Sequence, residues 1–247
     1  MLDPKTQTAN DQSYYNAVGE YFATGSGDVL DKLRDFPKYV PRQSLATFLA
    51  KSAIFQRAVG IHGHFIECGV LTGGGLMTWA QLSAIHEPYA HVRRIVGFDT
   101  FQGFPSLSDS DGEPDLDYAQ PGGLATYARA DIERALVLYN LNRPLGHIPR
   151  VDLVVGDATK TIPEYVANNQ HLVVAMLYLD FDLYEPTKVA LEYFYPRMPK
   201  GAVIVFDELA QANWPGETRA VFETIGIRNL KVERFAYHPQ MSFVELS

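Results

Sequence analysis

Five short apolar segments, most of them closing on an acid, set the architecture of this chain. They are HFIECG (64–69), RRIVGFD (93–99), VDLVVGD (151–157), LVVAMLYLD (172–180) and GAVIVFDE (201–208). Continuous Val/Ile/Leu-rich runs suit strands buried on both faces, as in a parallel sheet. The stretches between them, GLMTWAQLSAIHE, LATYARADIERALVLYN, TIPEYVANN and PTKVALEYFYPRM, read as helices. Strand alternating with helix implies βαβ units and a doubly wound α/β sheet. At the end, LKVERFAYH and MSFVELS are joined only by His238-Pro239-Gln240. That connection is too short for a parallel crossover, so an antiparallel hairpin is expected there.

Ahead of the strands, residues 13–60 read as helical. SLATFLAKSAIFQRAVG places Leu45, Phe48, Leu49, Ala53, Phe55, Ala58 and Val59 at helical spacing, with Ser44 as expected N-cap and Gly60 as stop. The first dozen residues, MLDPKTQTANDQ, are polar and aperiodic and are expected to be disordered. No internal repeat or linker divides the 247 residues, so one domain is expected, with residues 1–60 as a helical extension, lid or pairing surface for a homo-oligomer.

The net charge of −8 argues against a nucleic-acid backbone as main partner. No apolar run approaches the roughly 18 residues of a membrane span, and the first residues lack a secretory signal pattern. The single cysteine, Cys68, has no partner for a disulfide and lies in an apolar run, as a small buried hydrophobe. A reducing, cytoplasmic setting is expected.

In open α/β sheets, ligands bind beyond the carboxyl ends of the strands, so the acidic strand ends should converge on one rim. The first strand runs into IECGVLTGGG (66–75). This is neither the dinucleotide G-x-G-x-x-G fingerprint nor a P-loop. A glycine-rich turn entering a helix lets backbone approach a ligand closely. Glu67 before the first glycine suits a cationic ligand without phosphate, S-adenosylmethionine (SAM), and would repel a pyrophosphate. The expected cofactor contacts are Glu67, Gly69, Thr72 and Gly73 from this loop. Asp99 at the next strand end is placed for ribose hydroxyls, with Thr100 and Phe101 following it. Asp157 is placed for an adenine amino group, with Ala158 beneath the ring. Asp99 and Asp157 read equally well as helix N-caps.

The remaining acids form a second group. Asp180 in LDFDLYEPT and Asp207-Glu208 in VFDELAQANWPGE lie at the ends of what should be adjacent strands. Three carboxylates on one rim repel unless a cation sits among them or some are protonated. Oxygen-only donors suit Mg²⁺, Mn²⁺ or Ca²⁺ rather than zinc. The alternative is that these acids cap helices or pair with Lys188, Arg197 or Lys200. Tyr184, Asn213 and Trp214 lie near the same rim as candidate substrate contacts. The loop FQGFPSLSDSDGEPDLDYAQPGG (101–123) has no periodicity and is expected to be a solvated, partly mobile lid.

Taken together, IECGVLTGGG, VGFDTFQGFP, LDFDLYEPT and MPKGAVIVFDE…NWPGE resemble the macrocin O-methyltransferase family over roughly residues 40–225. The resemblance implies a class I methyltransferase sheet of seven mostly parallel strands, the last hairpin strand antiparallel. It implies metal-dependent methylation of a sugar hydroxyl from SAM, in natural-product or surface-polysaccharide chemistry. It also implies that Asp180, Asp207 and Glu208 hold Mg²⁺ and that Asp180 is the base. The family more often carries two aspartates where this chain has Asp207-Glu208, so Glu208 departs from the pattern; Asp182 is left to hold the turn. Two other readings compete: a glycosyltransferase using Asp180-Phe181-Asp182 as its Asp-x-Asp, and a non-catalytic α/β binding module.

Overall fold

A computed structural model describes residues 8–112 and 116–247. The chain divides into two compact units, the first ending at Thr47 and the second running from Phe48 to Ser247. In the first unit, helix α1 (Ala9–Thr24) opens on a capping box: Thr8 accepts from the Asp11 backbone N–H, and Asp11 accepts from that of Thr8. Residues 9–12, expected to be disordered, are therefore helical; residues 1–7 lie outside the described residues. Helix α2 (Val29–Arg34) repeats the device with Asp28 and Asp31. Tyr39 then stacks on Tyr21 and meets Phe22 edge-on.

Helix α3 (Arg42–Ala58) starts after Pro41, two residues before the expected cap Ser44. Its buried face is Ala50, Lys51, Ile54, Phe55 and Ala58, while Phe48 and Leu49 are exposed. Phe55 and Ala58 lie where the helical spacing places them, with Ala53 and Val59 packed against the same core, and a lysine stands on the buried side.

The second unit carries seven strands: β1 (His64–Cys68), β2 (Ile95–Asp99), β3 (Val151–Val155), β4 (Val174–Leu179), β5 (Val203–Phe206), β6 (Glu233–Arg234) and β7 (Ser242–Glu245). Their order is β3-β2-β1-β4-β5-β7-β6. The first five are parallel; β7 runs antiparallel beside β5, with β6 antiparallel outside it. The expected sheet and terminal hairpin are both present. Central β4 is buried at every position, whereas edge strand β3 is not, as their apolar density dictates.

Helices α4 (Gly74–His86), α5 (Arg129–Leu141), α6 (Ala158–Asn168), α7 (Tyr184–Phe194) and α8 (Pro215–Thr224) complete the layers. Successive strand residues point to opposite faces. Phe65, Met176, Tyr178, Val203 and Val205 share one core with residues of α3, α4 and α5. Ile66, Cys68, Leu177, Leu179, Ile204 and Phe206 share the other with α6, α7 and α8. Helix α5 begins five residues later than its pattern suggested, because Leu124 and Tyr127 take left-handed turn conformations (φ 59° and 52°). Helix α8 was not anticipated at all. No helix among the described residues is long and apolar enough to cross a membrane.

The strand order reverses between β1 and β4, which opens a crevice at their carboxyl ends. There the two strand ends touch. The Asp180 N–H donates to the Cys68 carbonyl at 2.8 Å, and a Cβ on Gly69 (φ 95°) would lie 1.9 Å from the Asp180 carbonyl oxygen. Only glycine fits that approach.

Candidate active site

The cofactor side of the crevice is the β1–α4 turn. Gly73 caps α4 in a left-handed conformation, and a side chain there would strike Ile132. Gly74, by contrast, has open space where its Cβ would be, and Thr72 and Gly74 are exposed. The turn is closed inward and open outward, which suits a ligand lying along its backbone.

Asp99 is placed at this turn, but it looks largely inward. Its Oδ2 accepts the Val70 and Leu71 N–H groups (2.7 and 2.8 Å), and its Oδ1 accepts that of Phe101 (2.6 Å). A carboxylate offers about four acceptor sites, so roughly one remains for a ribose hydroxyl. Thr100 closes the following turn by donating to the Gly103 carbonyl, and Phe101 is buried at a left-handed φ of 55°.

Asp157 proves to be the N-cap of α6. Its Oδ1 accepts from the Thr159 N–H and hydroxyl, and Lys160 pairs with Oδ2 at 3.0 Å. Partial burial pushes its carboxyl up, yet the Thr159 and Lys160 bonds win and hold it below the usual range. The capping alternative accounts for Asp157, with Ala158 buried behind it.

Glu67 also differs from its expected role. It is 2% exposed and pairs with the Lys51 ammonium at 3.2 Å beneath the turn. A Cβ on Gly75 would lie 2.0 Å from its Oε1, so the turn is laid directly over the ion pair. Glu67 supports the cofactor loop from below, its charge met by a lysine of the same chain.

The second side of the crevice is acidic. One ligand oxygen each from Asp180, Asp207 and Glu208 falls within a span of 4.8 Å. Asp207 Oδ1 accepts the Tyr178 hydroxyl at 2.7 Å. Glu217, fully buried on the first turn of α8, accepts the Glu208 N–H on Oε1 at 3.1 Å. Asp182, left-handed at φ 63°, rests its carboxyl group against that of Glu208.

Burial, and then the neighbouring Asp207 and Asp182, push the Asp180 carboxyl well up, with Lys51 opposing. Burial and Asp207 raise Asp182 to about 7. Glu208 and Glu217 are raised for the same reasons. No N–H or O–H of the described residues reaches Oε2 of Glu208 or of Glu217. Mutually repelling carboxylates, Glu208 buried and Asp180 and Asp207 partly so, with an unmet oxygen on Glu208, fit a hard divalent cation held by oxygen donors. Two of the three alternative partners are engaged elsewhere, Lys188 with Glu223 and Arg197 with the Gln170 and Leu172 carbonyls.

Segment 101–123, expected from its composition to be a solvated lid, exposes many of its described residues but is anchored at several points. Asp111, 1% exposed, accepts the Tyr184 N–H on Oδ1 and the Ser108 N–H and hydroxyl on Oδ2. Phe104 and Tyr118 pack on Trp214, and Phe104, Leu183 and Trp214 form a small core of their own. The segment is fastened to the acidic side. Trp214 is therefore largely enclosed, and Asn213 lies beside it at the approach to α8. Tyr184 sends its hydroxyl away to Glu223 and Lys188, so that hydroxyl is already committed within the protein.

Four residues of this site escaped the sequence reading: Lys51, Asp111, Tyr178 and Glu217. Two had signals. Lys51 stands three and four residues before Ile54 and Phe55, within the apolar stripe. Pro215 followed by Glu217 is a helix start with an acid in its first turn.

A doubly wound seven-stranded sheet with an antiparallel last pair, a glycine turn after β1 and acids at the ends of the parallel strands defines the class I methyltransferase architecture. Residues 45–226 match the macrocin O-methyltransferase (TylF) family model, and the chain belongs to that family. It is similar to the crystal structure of CalS11, a calicheamicin methyltransferase, with 30% identity and a TM-score of 0.92 over 97% of this chain and 93% of that one. The apo structure of CalS11, described as a TDP-rhamnose 3'-O-methyltransferase of calicheamicin biosynthesis, matches with a TM-score of 0.84 at 30% identity, over 97% and 95% of the two chains. A Streptomyces olivaceus protein, 8-demethyl-8-(2,3-dimethoxy-alpha-L-rhamnosyl)-tetracenomycin-C 4'-O-methyltransferase, is 28% identical over 159 residues. That match spans 62% of this chain but only 55% of the relative's length.

Proposed function

We propose that this chain is a SAM- and divalent-cation-dependent O-methyltransferase acting on a hydroxyl of a sugar or sugar-containing secondary metabolite. One observation carries the reading. The open glycine turn and the trio Asp180, Asp207 and Glu208 share one crevice, where Gly69 and Asp180 are in direct contact. The relatives named above, which act on rhamnosyl or TDP-rhamnose compounds, support a sugar acceptor.

SAM would supply the methyl group, and Mg²⁺ or Mn²⁺ held by Asp180, Asp207 and Glu208 would supply Lewis acidity to the acceptor hydroxyl. The protein's own part is placement. The turn from Gly69 to Gly74 would hold the donor, and Asp180, Asp207 and Glu208 would hold the acceptor hydroxyl through the cation. The sulfur–methyl bond breaks as the oxygen–methyl bond forms, and Asp180 accepts the hydroxyl proton. Asn213 and Trp214 are proposed to border the acceptor; Tyr184 serves through its backbone and ring packing rather than its hydroxyl.

The test is methyl transfer from SAM to a panel of TDP-deoxysugars and glycosylated metabolites, followed by mass spectrometry with and without EDTA. Transfer that EDTA abolishes and Mg²⁺ restores is the expected result. A thermal shift with a nucleotide diphosphate and Mn²⁺, but none with S-adenosylhomocysteine, would favour the glycosyltransferase reading instead.

A further inference from the structure

Tyr178 occupies an unusual position for a strand residue of a parallel core. It pairs in register with Glu67 on β1 and Val205 on β5, so its side chain stands on the face covered by α3 and α4. It is 2% exposed, and its hydroxyl donates to Asp207 Oδ1 at 2.7 Å. The Lys51 ammonium lies 3.7 Å from the centre of its ring, and Trp79 packs beside it at 5.8 Å. Lys51 is itself pinned, by Glu67 at 3.2 Å and by the turn above, where a Cβ on Gly75 would fall 2.6 Å from Nζ.

We infer that Tyr178 is a positioning residue for the cation site, held in place by the Lys51–Glu67 pair. Affinity for the cation is then set partly by residues that never touch it. The inference rests on the proposed cation reading. A carboxylate free to rotate loses entropy when it ligates; one with Oδ1 fixed by a hydroxyl already presents Oδ2. A cation on the face of the phenol ring draws electron density from it and strengthens the hydroxyl as a donor. The chain of contacts Glu67–Lys51–Tyr178–Asp207 also joins the floor of the cofactor turn to a ligand of the cation. A residue serving only to fill the core would leave cation affinity untouched.

The experiment is a Mn²⁺ titration of the full-length protein, following free Mn²⁺ by electron paramagnetic resonance, with S-adenosylhomocysteine affinity measured in parallel by calorimetry. Tyr178→Phe should weaken Mn²⁺ binding by about 10- to 100-fold, the usual effect of removing such a partner, while leaving S-adenosylhomocysteine affinity unchanged. Should Tyr178→Phe lose the native circular dichroism spectrum, the charge-balanced double variant Lys51→Met/Glu67→Gln decides by the same titration, with weakening expected in the same direction. A folded variant whose Mn²⁺ affinity stays within about twofold of wild type overturns the inference. If wild type itself takes up no Mn²⁺, the cation reading falls and the inference with it. Wild-type binding with an unaffected variant removes the inference alone.

Discussion

The backbone N–H of Glu208 donates to Oε1 of Glu217, nine residues on and fully buried, at 3.1 Å. A short helix that looks peripheral in sequence thereby fixes the turn carrying two of the three candidate ligands. The relation has two separable parts, an acceptor for the N–H and a negative charge beside other negative charges.

Those parts give opposite expectations. Glu217→Gln keeps an acceptor and removes the charge, so in EDTA its melting temperature should equal or exceed that of wild type. Glu217→Ala leaves the Glu208 N–H buried and unpaired, which costs about 1–3 kcal/mol. Thermal unfolding of both variants in EDTA checks the contrast. Equal destabilisation by the two would mean the hydrogen bond is irrelevant.

The acidic side makes stability depend on pH and cation together. Asp182 is raised to about 7, and Asp180, Glu208 and Glu217 are raised as well. As pH climbs through the ordinary carboxylate range toward 7, the unfolded chain ionises these groups while the folded chain still holds their protons. The folded state then binds more protons, so cation-free stability falls with rising pH. The stabilisation conferred by saturating Mg²⁺ should accordingly be larger at pH 8 than at pH 6. Melting curves at both pH values, with Mg²⁺ and with EDTA, measure it; an increment independent of pH would contradict the assignment.

Asp180→Ala should lower methyl transfer by about 10²–10⁴-fold, the usual worth of a general base, and more if the cation is also lost. Its response to S-adenosylhomocysteine in a thermal shift should persist, because the glycine turn is held by Asp99 rather than by Asp180. Transfer at the wild-type rate would remove Asp180 from the mechanism.

Adjacent glycines of one turn should respond differently to a single methyl group. Gly75→Ala drives a Cβ to 2.0 Å from Glu67 Oε1 and 2.6 Å from Lys51 Nζ. Overpacking of that kind costs about 1–3 kcal/mol. Gly74→Ala meets nothing within 4 Å and begins a helix, so its stability should be unchanged or higher by up to about 1 kcal/mol. Denaturant unfolding of the pair is the check.

What could be read in the sequence followed the backbone. Buried parallel strands demand continuous apolar runs, so β1 to β5 and the acids that end them were legible, as was the terminal antiparallel pair, although residues 235–241 between β6 and β7 make a longer connection than His238-Pro239-Gln240. The other acids depended on side chains that sequence order does not bring together. Asp99 and Asp157 have the residue type of ligand contacts, but the nearest N–H groups claim them first: Val70, Leu71 and Phe101 in one case, Thr159 in the other. Glu217 lay hidden because its ten-residue helix has too short a pattern to stand out. The Pro/Gly/Ser/Asp composition of the 101–123 segment signalled solvent, but Asp111, Phe104 and Tyr118 anchor it through contacts with residues about seventy to a hundred and ten positions away.

The alternation of β1 has a further consequence, for folding rather than for chemistry. Glu67 faces Lys51, while its neighbours Ile66 and Cys68 face the opposite hydrophobic core. Sliding β1 by one residue against its neighbours would turn Glu67 into that core, where no ammonium awaits it, and would leave Lys51 buried alone. The ion pair is thus a proofreader of strand alignment. A Lys51→Met/Glu67→Leu chain should lose that discrimination and refold with additional slow, off-register phases in stopped-flow fluorescence, where the parent chain has none of them.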